Sequence, residues 1–190
     1  PASGAASFLG DRIPSNVINA GDGRHEHPTQ GLLDMLTIRD HRGKLEGLKV
    51  CIVGDVLHSR VARSNVYGLL RVGAEVGFCG PKTLLPVRMD ELGVKIFPRV
   101  EDALEWADVI NVLRLQLERM QGGYIPSLHE YNRFFGITQA RLDAVGREIL
   151  ILHPGPMNRG VEIDSDVADG PQQVILKQVT NGVAVRMAVL

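Results

Sequence analysis

Four short stretches of this chain carry side chains able to work on a small anionic molecule. The first, Arg24-His25-Glu26-His27-Pro28-Thr29-Gln30, lies between the glycine turn Gly21-Asp22-Gly23 and a helical pattern. His27 and Gln30 are three residues apart across a helix start and can face one point together. His25 and His27 also suggest a metal, but zinc takes three or four ligands and no third stands at a recognisable spacing. The second stretch is Val53-Gly54-Asp55-Val56-Leu57-His58-Ser59-Arg60. Asp55 sits where dinucleotide sites keep an acid after a strand, yet no Gly-x-Gly-x-x-Gly opens the next helix. Arg60 falls in the first turn of that helix, where a cation opposes the helix dipole. It is either a plain surface arginine or, with free backbone N–H groups, half of an anion pocket.

The third stretch is Arg114-Leu115-Gln116, at the exit of an apolar run. Alternation along an extended segment puts Arg114 and Gln116 on one side. A guanidinium beside an amide suits a molecule bearing a carboxylate and neighbouring polar atoms; a solvated strand exit is the plainer alternative. The fourth is His153-Pro154-Gly155-Pro156. Two prolines around a glycine make a rigid loop whose carbonyls cannot all join a ladder, and free carbonyls accept hydrogen bonds from an amino group. Taken alone, this loop reads better as a structural turn.

These stretches need elements to hold them. Val17 to Ala20 reads as a short strand, and from Pro28 a helix begins, with Leu32, Leu33 and Leu36 on one face and Gly43 and Gly47 closing it. Thereafter strands and helices alternate. Strands are predicted over 48–55, 75–79, 94–97, 108–113 and 148–152. Helices are predicted from Ser59, a plausible N-cap, to Val72, and over 101–107 and 138–144. The last stretch, Val174 to Leu190, has helical spacing interrupted by Asn181-Gly182. Buried strands alternating with helices predict an α/β fold, a doubly wound parallel sheet with helices on both faces. In such sheets ligands sit beyond the carboxyl ends of the strands, where the second, third and fourth stretches fall.

Composition narrows the classes. The 190 residues hold 44% hydrophobic and 23% charged residues, which excludes disordered, collagen-like and coiled-coil chains. With 21 basic and 22 acidic residues the net charge is −1, so there is no general electrostatic case for nucleic acid or a membrane surface. No apolar run approaches the roughly 18–20 residues that span a bilayer, and the first residues lack signal-peptide order. Cys51 and Cys79 sit in apolar strand-like runs and read as reduced core thiols of a cytoplasmic protein. Sixteen arginines against five lysines is an odd ratio, read mostly as genomic base composition.

Taken together, the stretches resemble the aspartate carbamoyltransferase catalytic chain. The matching residues are Asn19-Ala20-Gly21-Asp22-Gly23 with His27-Pro28-Thr29-Gln30, Val53-Gly54-Asp55 with Ser59-Arg60, and Arg114-Leu115-Gln116-Leu117-Glu118-Arg119. His153-Pro154-Gly155-Pro156 and Asn181-Gly182 complete the set, in the family's order and over essentially the whole chain. The resemblance implies transfer of a carbamoyl group from carbamoyl phosphate to the amine of L-aspartate in pyrimidine biosynthesis, with no cofactor and no metal. It gives His27 the carbamoyl oxygen, and Gln30 with the carbonyls of Gly155 and Pro156 the carbamoyl amide. Arg60 and Arg114 take the aspartate carboxylates, with Gln116 close by. His58 and His129 become bystanders, Glu118 and Arg119 ties between loops or domains, and Arg186 a structural ion-pair partner. The related ornithine carbamoyltransferases use a His-Cys-Leu-Pro loop and a Ser-Met-Gly element that do not occur here, and Arg114 would repel ornithine's cationic tail.

The sequence departs from the family in lacking the Ser-x-Arg-Thr-Arg phosphate loop and the Ser/Lys loop lent by a neighbouring subunit. The resemblance therefore implies three parts. Residues 1–35 are the end of a carbamoyl-phosphate-binding domain, 36–172 an aspartate-binding domain, and 173–190 a return helix packing on the first. It further implies a homotrimer when full length, larger assemblies with other pyrimidine-pathway subunits, and no activity for the 190 residues alone. The alternative is a non-catalytic carbamoyltransferase-like binding or assembly module.

Overall fold

The computed structural model describes residues 2–119 and 123–190, the side chains of Met89, Asp90 and Arg119 apart. After the helix α1 (Ala5–Gly10) and a loop comes α2 (Pro28–Arg42), which starts with Pro28 in its first turn and stops at Gly43, whose φ is 76°. The chain then runs β1 (Lys49–Val53), α3 (Arg60–Arg71), β2 (Glu75–Cys79), β3 (Lys95–Phe97), α4 (Val100–Trp106) and β4 (Val109–Val112). It continues with α5 (Leu128–Phe135), α6 (Gln139–Val145), β5 (Leu150–Leu152), α7 (Ser165–Ala168) and α8 (Ile175–Val189). Short 3₁₀ turns cover Lys82–Leu84, Met89–Leu92 and Leu117–Arg119.

The strands form one parallel sheet in the order β3-β2-β1-β4-β5. Strand alternation divides the interior into two layers. Val50 and Ile52 of β1 pack with Ile38 of α2 and Val66 and Leu69 of α3. Cys51 and Val53 face the other way, onto Val100 and Leu104 of α4, Leu142 of α6 and Val167 of α7. Burial of both faces explains why the strands read as apolar runs rather than as alternating ones. The doubly wound α/β sheet is thus as the sequence predicts. Cys51 and Cys79 are buried free thiols, and burial, with the charges of Glu101 and Asp102 behind it, pushes the Cys79 thiol up to about 12.

β1 lies between β2 and β4, so the winding direction reverses between β1 and β4. That switch point opens a crevice where loops leave neighbouring strands in opposite directions. Gly54 closes β1 there at φ 127°; a Cβ on it would lie 2.7 Å from the Leu113 carbonyl oxygen. Only glycine allows the ends of β1 and β4 to approach this closely.

Several elements differ from the expectation. Residues 17–20 form no strand, because no partner strand lies alongside and the local polar groups bond each other instead. Asn19 Oδ1 accepts from the Gly21 N–H at 2.8 Å, and Asn19 Nδ2 donates to Asp22 at 3.2 Å. α8 runs unbroken through Asn181-Gly182. Asn181 donates to Thr37 and Asp40 of α2, while Gly182 lets α8 approach Leu33, 3.2 Å from where a Cβ would stand. α1 and α7 are too short to leave a periodic signal, and α5 is a helix that the sequence reading did not include.

Candidate active site

At the switch point, loops from four parts of the chain line one cavity of about 200 Å³. His27, Gln30, Arg60, Arg114, Gln116, Gly155 and Pro156 all contribute to it, joined by Ser59, Val61, Leu113 and Pro154. Every site residue predicted from the sequence is therefore brought together. His58 and His129 are outside this lining.

His27 caps the N-terminus of α2, and its backbone N–H donates to Ser64 of α3 at 2.9 Å. Burial, together with the positive charges of Arg60 and Arg186, lowers the imidazole pKa from 6.5 to about 4. The ring is thus neutral near pH 7, carrying one N–H donor and one acceptor. One turn on, Gln30 donates through Nε2 to the buried Asp34 at 2.9 Å.

Arg60 opens α3, immediately after the N-cap Ser59, whose hydroxyl accepts from the Ala62 N–H at 3.2 Å. Its guanidinium lies against the N-terminal glycine turn. A Cβ on Gly21, at φ 115°, would stand 2.6 Å from Arg60 Cζ. Among the described residues no carboxylate pairs with Arg60. The buried Asp22 maintains that turn by accepting from Asn19, His25 and the backbone of Gly4 and Glu26. Burial alone would push its carboxyl up, but these hydrogen bonds hold it well below the usual carboxylate range. His25 thus bonds Asp22, at 3.1 Å, rather than joining His27. Among the described residues no group of three or more His, Cys, Asp or Glu side chains is arranged to hold a metal.

Arg114 leaves β4 half-exposed and pairs with Glu118 through both of its terminal nitrogens. Glu118 therefore holds an arginine four residues away; the Arg119 side chain lies outside the described residues. Gln116 donates through Nε2 to the His58 carbonyl at 3.2 Å. Behind it, the buried Asp55 accepts from His58 Nδ1 at 2.8 Å, so Asp55 braces the β1–α3 turn. The Pro154–Pro156 loop hangs from His153, whose Nδ1 accepts from Gly155 N at 2.9 Å while Nε2 faces buried Glu162 at 3.3 Å.

Sequence reasoning missed two contributors. Arg186 is not in an ion pair among the described residues; it donates to the Gly182 carbonyl of its own helix at 3.0 Å, and its charge reaches His27. Its position in the last turn of a helix looked structural, and only the packing of α8 on α2 brings it near. The other is Asp34, whose spacing from Gln30 was the available signal.

Residues 46–190 match the family described as aspartate/ornithine carbamoyltransferase, Asp/Orn binding domain. The chain belongs to this family. Residues 3–40 match the carbamoyl-P binding domain of the same family. The catalytic subunit of aspartate carbamoyltransferase from Gemmatimonas aurantiaca is 74% identical over 190 residues, covering all of this chain and 60% of that protein. Its counterpart from Desulforamulus reducens is 63% identical, with 61% of that protein covered. The chain thus spans about three-fifths of these relatives. Among carbamoyltransferases of known structure, aspartate transcarbamoylase from Trypanosoma cruzi with phosphate superposes with a TM-score of 0.87 at 26% identity. It is covered over 63% of its length, and this chain over 100%. The same enzyme with N-(phosphonacetyl)-L-aspartic acid gives 0.85. No helix among the described residues is long and apolar enough to cross a membrane.

Proposed function

We propose that this chain carries the aspartate-binding part of an aspartate carbamoyltransferase. In that reaction the amine of L-aspartate attacks the carbonyl carbon of carbamoyl phosphate. The carbon–oxygen bond to phosphate breaks, the amine loses a proton, and N-carbamoyl-L-aspartate and phosphate leave, a step of pyrimidine biosynthesis in the cytoplasm. The observation that carries the reading is the single cavity that gathers two arginines, a neutral histidine and two amides at the switch point. The relatives' names and the ligands of the Trypanosoma cruzi enzyme support it.

Arg60 and Arg114 grip the two carboxylates of aspartate, with Gln116 beside them; guanidinium forks suit planar carboxylates. His27, neutral at working pH, donates to the carbamoyl oxygen as negative charge gathers there in the tetrahedral intermediate. Gln30 and the carbonyls of Gly155 and Pro156 receive the carbamoyl amide. No covalent intermediate is required, because aligning two anions and compensating their charge removes much of the barrier.

Residues 1–35 belong to the carbamoyl-phosphate domain, 36–172 form the aspartate domain, and 173–190 return to the first. The exposed apolar row Leu176, Val179, Val183 and Met187 on α8 supports a covering partner domain. The complete enzyme is a homotrimer, and the phosphate grip comes from its other parts. The test is carbamoyl aspartate formation by the complete polypeptide and by the 190 residues alone. Turnover is expected from the first and none from the second; no product from the complete polypeptide would overturn the assignment.

A further inference from the structure

Asp34 is fully buried on α2, one turn beyond Gln30 and outside the cavity lining. Four side-chain amides converge on its carboxylate. Gln30 and Gln178 donate to Oδ1 at 2.9 and 2.8 Å; Asn65 and Asn111 donate to Oδ2 at 2.7 and 3.3 Å. Their helices and strand, α2, α3, β4 and α8, thus meet at one acidic group with no cation among its bonded partners. Burying a carboxylate in this way is costly unless every lone pair is used.

Burial pushes the Asp34 carboxyl up and the four amide donors counter it; its two oxygens accept from all four, so each amide turns its NH₂ towards Asp34 and its oxygen away. For Gln30, a lining residue, this leaves Oε1 as the atom free to face the cavity. For Gln178 it leaves Oε1 to accept the His153 N–H at 2.9 Å, at the head of the Pro154–Pro156 loop. One carboxylate therefore sets the orientation of a side chain on one wall and the anchor of a loop on another.

We infer that Asp34 is a positioning residue for substrate selectivity, making the carbamoyl corner a set of acceptors that recognises the substrate's NH₂ group. The inference rests on the carbamoyltransferase reading. Its chemistry separates carbamoyl phosphate from acetyl phosphate, which keeps the carbonyl and the phosphate but has a methyl where the amide nitrogen stands. Asparagine at position 34 has one accepting oxygen and a donor nitrogen that opposes the surrounding NH₂ groups. Where that nitrogen stands in place of Oδ1, Gln30 and Gln178 lose their enforced orientation; where it stands in place of Oδ2, Asn65 and Asn111 lose theirs.

The test compares the complete polypeptide with its Asp34→Asn variant. It measures the dissociation constants of carbamoyl phosphate and of acetyl phosphate by the same equilibrium titration. The variant is expected to bind carbamoyl phosphate about tenfold or more weakly while its affinity for acetyl phosphate changes by less than about threefold. Equal changes in both, or no change in either, would overturn the role, since a merely structural residue does not alter the ratio. Should Asp34→Asn fail to fold, Gln178→Met decides. It leaves three amides on Asp34 and frees the loop anchor, so it should shift the ratio in the same direction by at least about threefold; an unchanged ratio overturns the inference. Failure of the unsubstituted enzyme to make carbamoyl aspartate would instead remove the functional reading itself, and this inference with it.

Discussion

The two sides of the cavity are built by different physics. On the side of Gln30 and the Pro154–Pro156 loop, neutral amides and backbone groups are locked through buried partners, Asp34, Gln178 and the His153–Glu162 pair. On the side of Arg60 and Arg114, charged groups stand closer to solvent. One is without a carboxylate partner among the described residues, and the other is paired with a partly exposed glutamate. Buried hydrogen-bonded networks give fixed geometry, whereas charges at a cavity mouth attract and exchange an anionic ligand. A small, uncharged group needs the former to be recognised, and a dicarboxylate arriving from water needs the latter.

The most severe way to break this contrast is to remove a guanidinium. Arg60→Ala or Arg114→Ala in the complete polypeptide should cost about 1.5–3 kcal/mol of aspartate binding, or roughly 10- to 100-fold in KM for aspartate. Steady-state kinetics should show a much smaller change in KM for carbamoyl phosphate; equal changes in both would erase the distinction between the two sides. Glu118→Gln tests the weaker half. Exposed ion pairs contribute only about 0.2–1 kcal/mol, so the aspartate KM should move by about two- to fivefold at most.

The smallest effect concerns His27. Its pKa is lowered to about 4 against an ordinary 6.5, so the unfolded chain binds the proton more readily between those values. Its contribution to stability is therefore fully present above about pH 6.5 and lost as pH falls towards 4. NMR titration of histidine-labelled protein should place its midpoint near 4, and Arg186→Ala should raise it. A midpoint near 6.5 would mean that neither burial nor the two arginines acts on the ring.

The contrast also explains what was legible in the sequence. The sheet was readable because doubly buried strands leave apolar runs and Ser59 caps its helix within one turn. Arg60, Arg114 and the proline loop were readable because strand ends are local in sequence. The Asp34 hub was marked only by the four-residue spacing from Gln30, since its other donors come from positions 65, 111 and 178, and nothing local marks those amides as facing a distant acid. Residues 17–20 looked like a strand because apolar content alone cannot show whether a neighbouring strand exists. Arg186 was misjudged for the same reason, as α8 meets α2 only in the fold.

The most direct test of the central claim is a crystal structure of the complete polypeptide with N-(phosphonacetyl)-L-aspartic acid, which joins a phosphonate to the aspartate skeleton. The proposed chemistry predicts its two aspartate carboxylates within hydrogen-bonding distance of Arg60 and Arg114, and its amide carbonyl oxygen facing His27. A ligand seated elsewhere, or one whose carboxylates touch neither arginine, would contradict it.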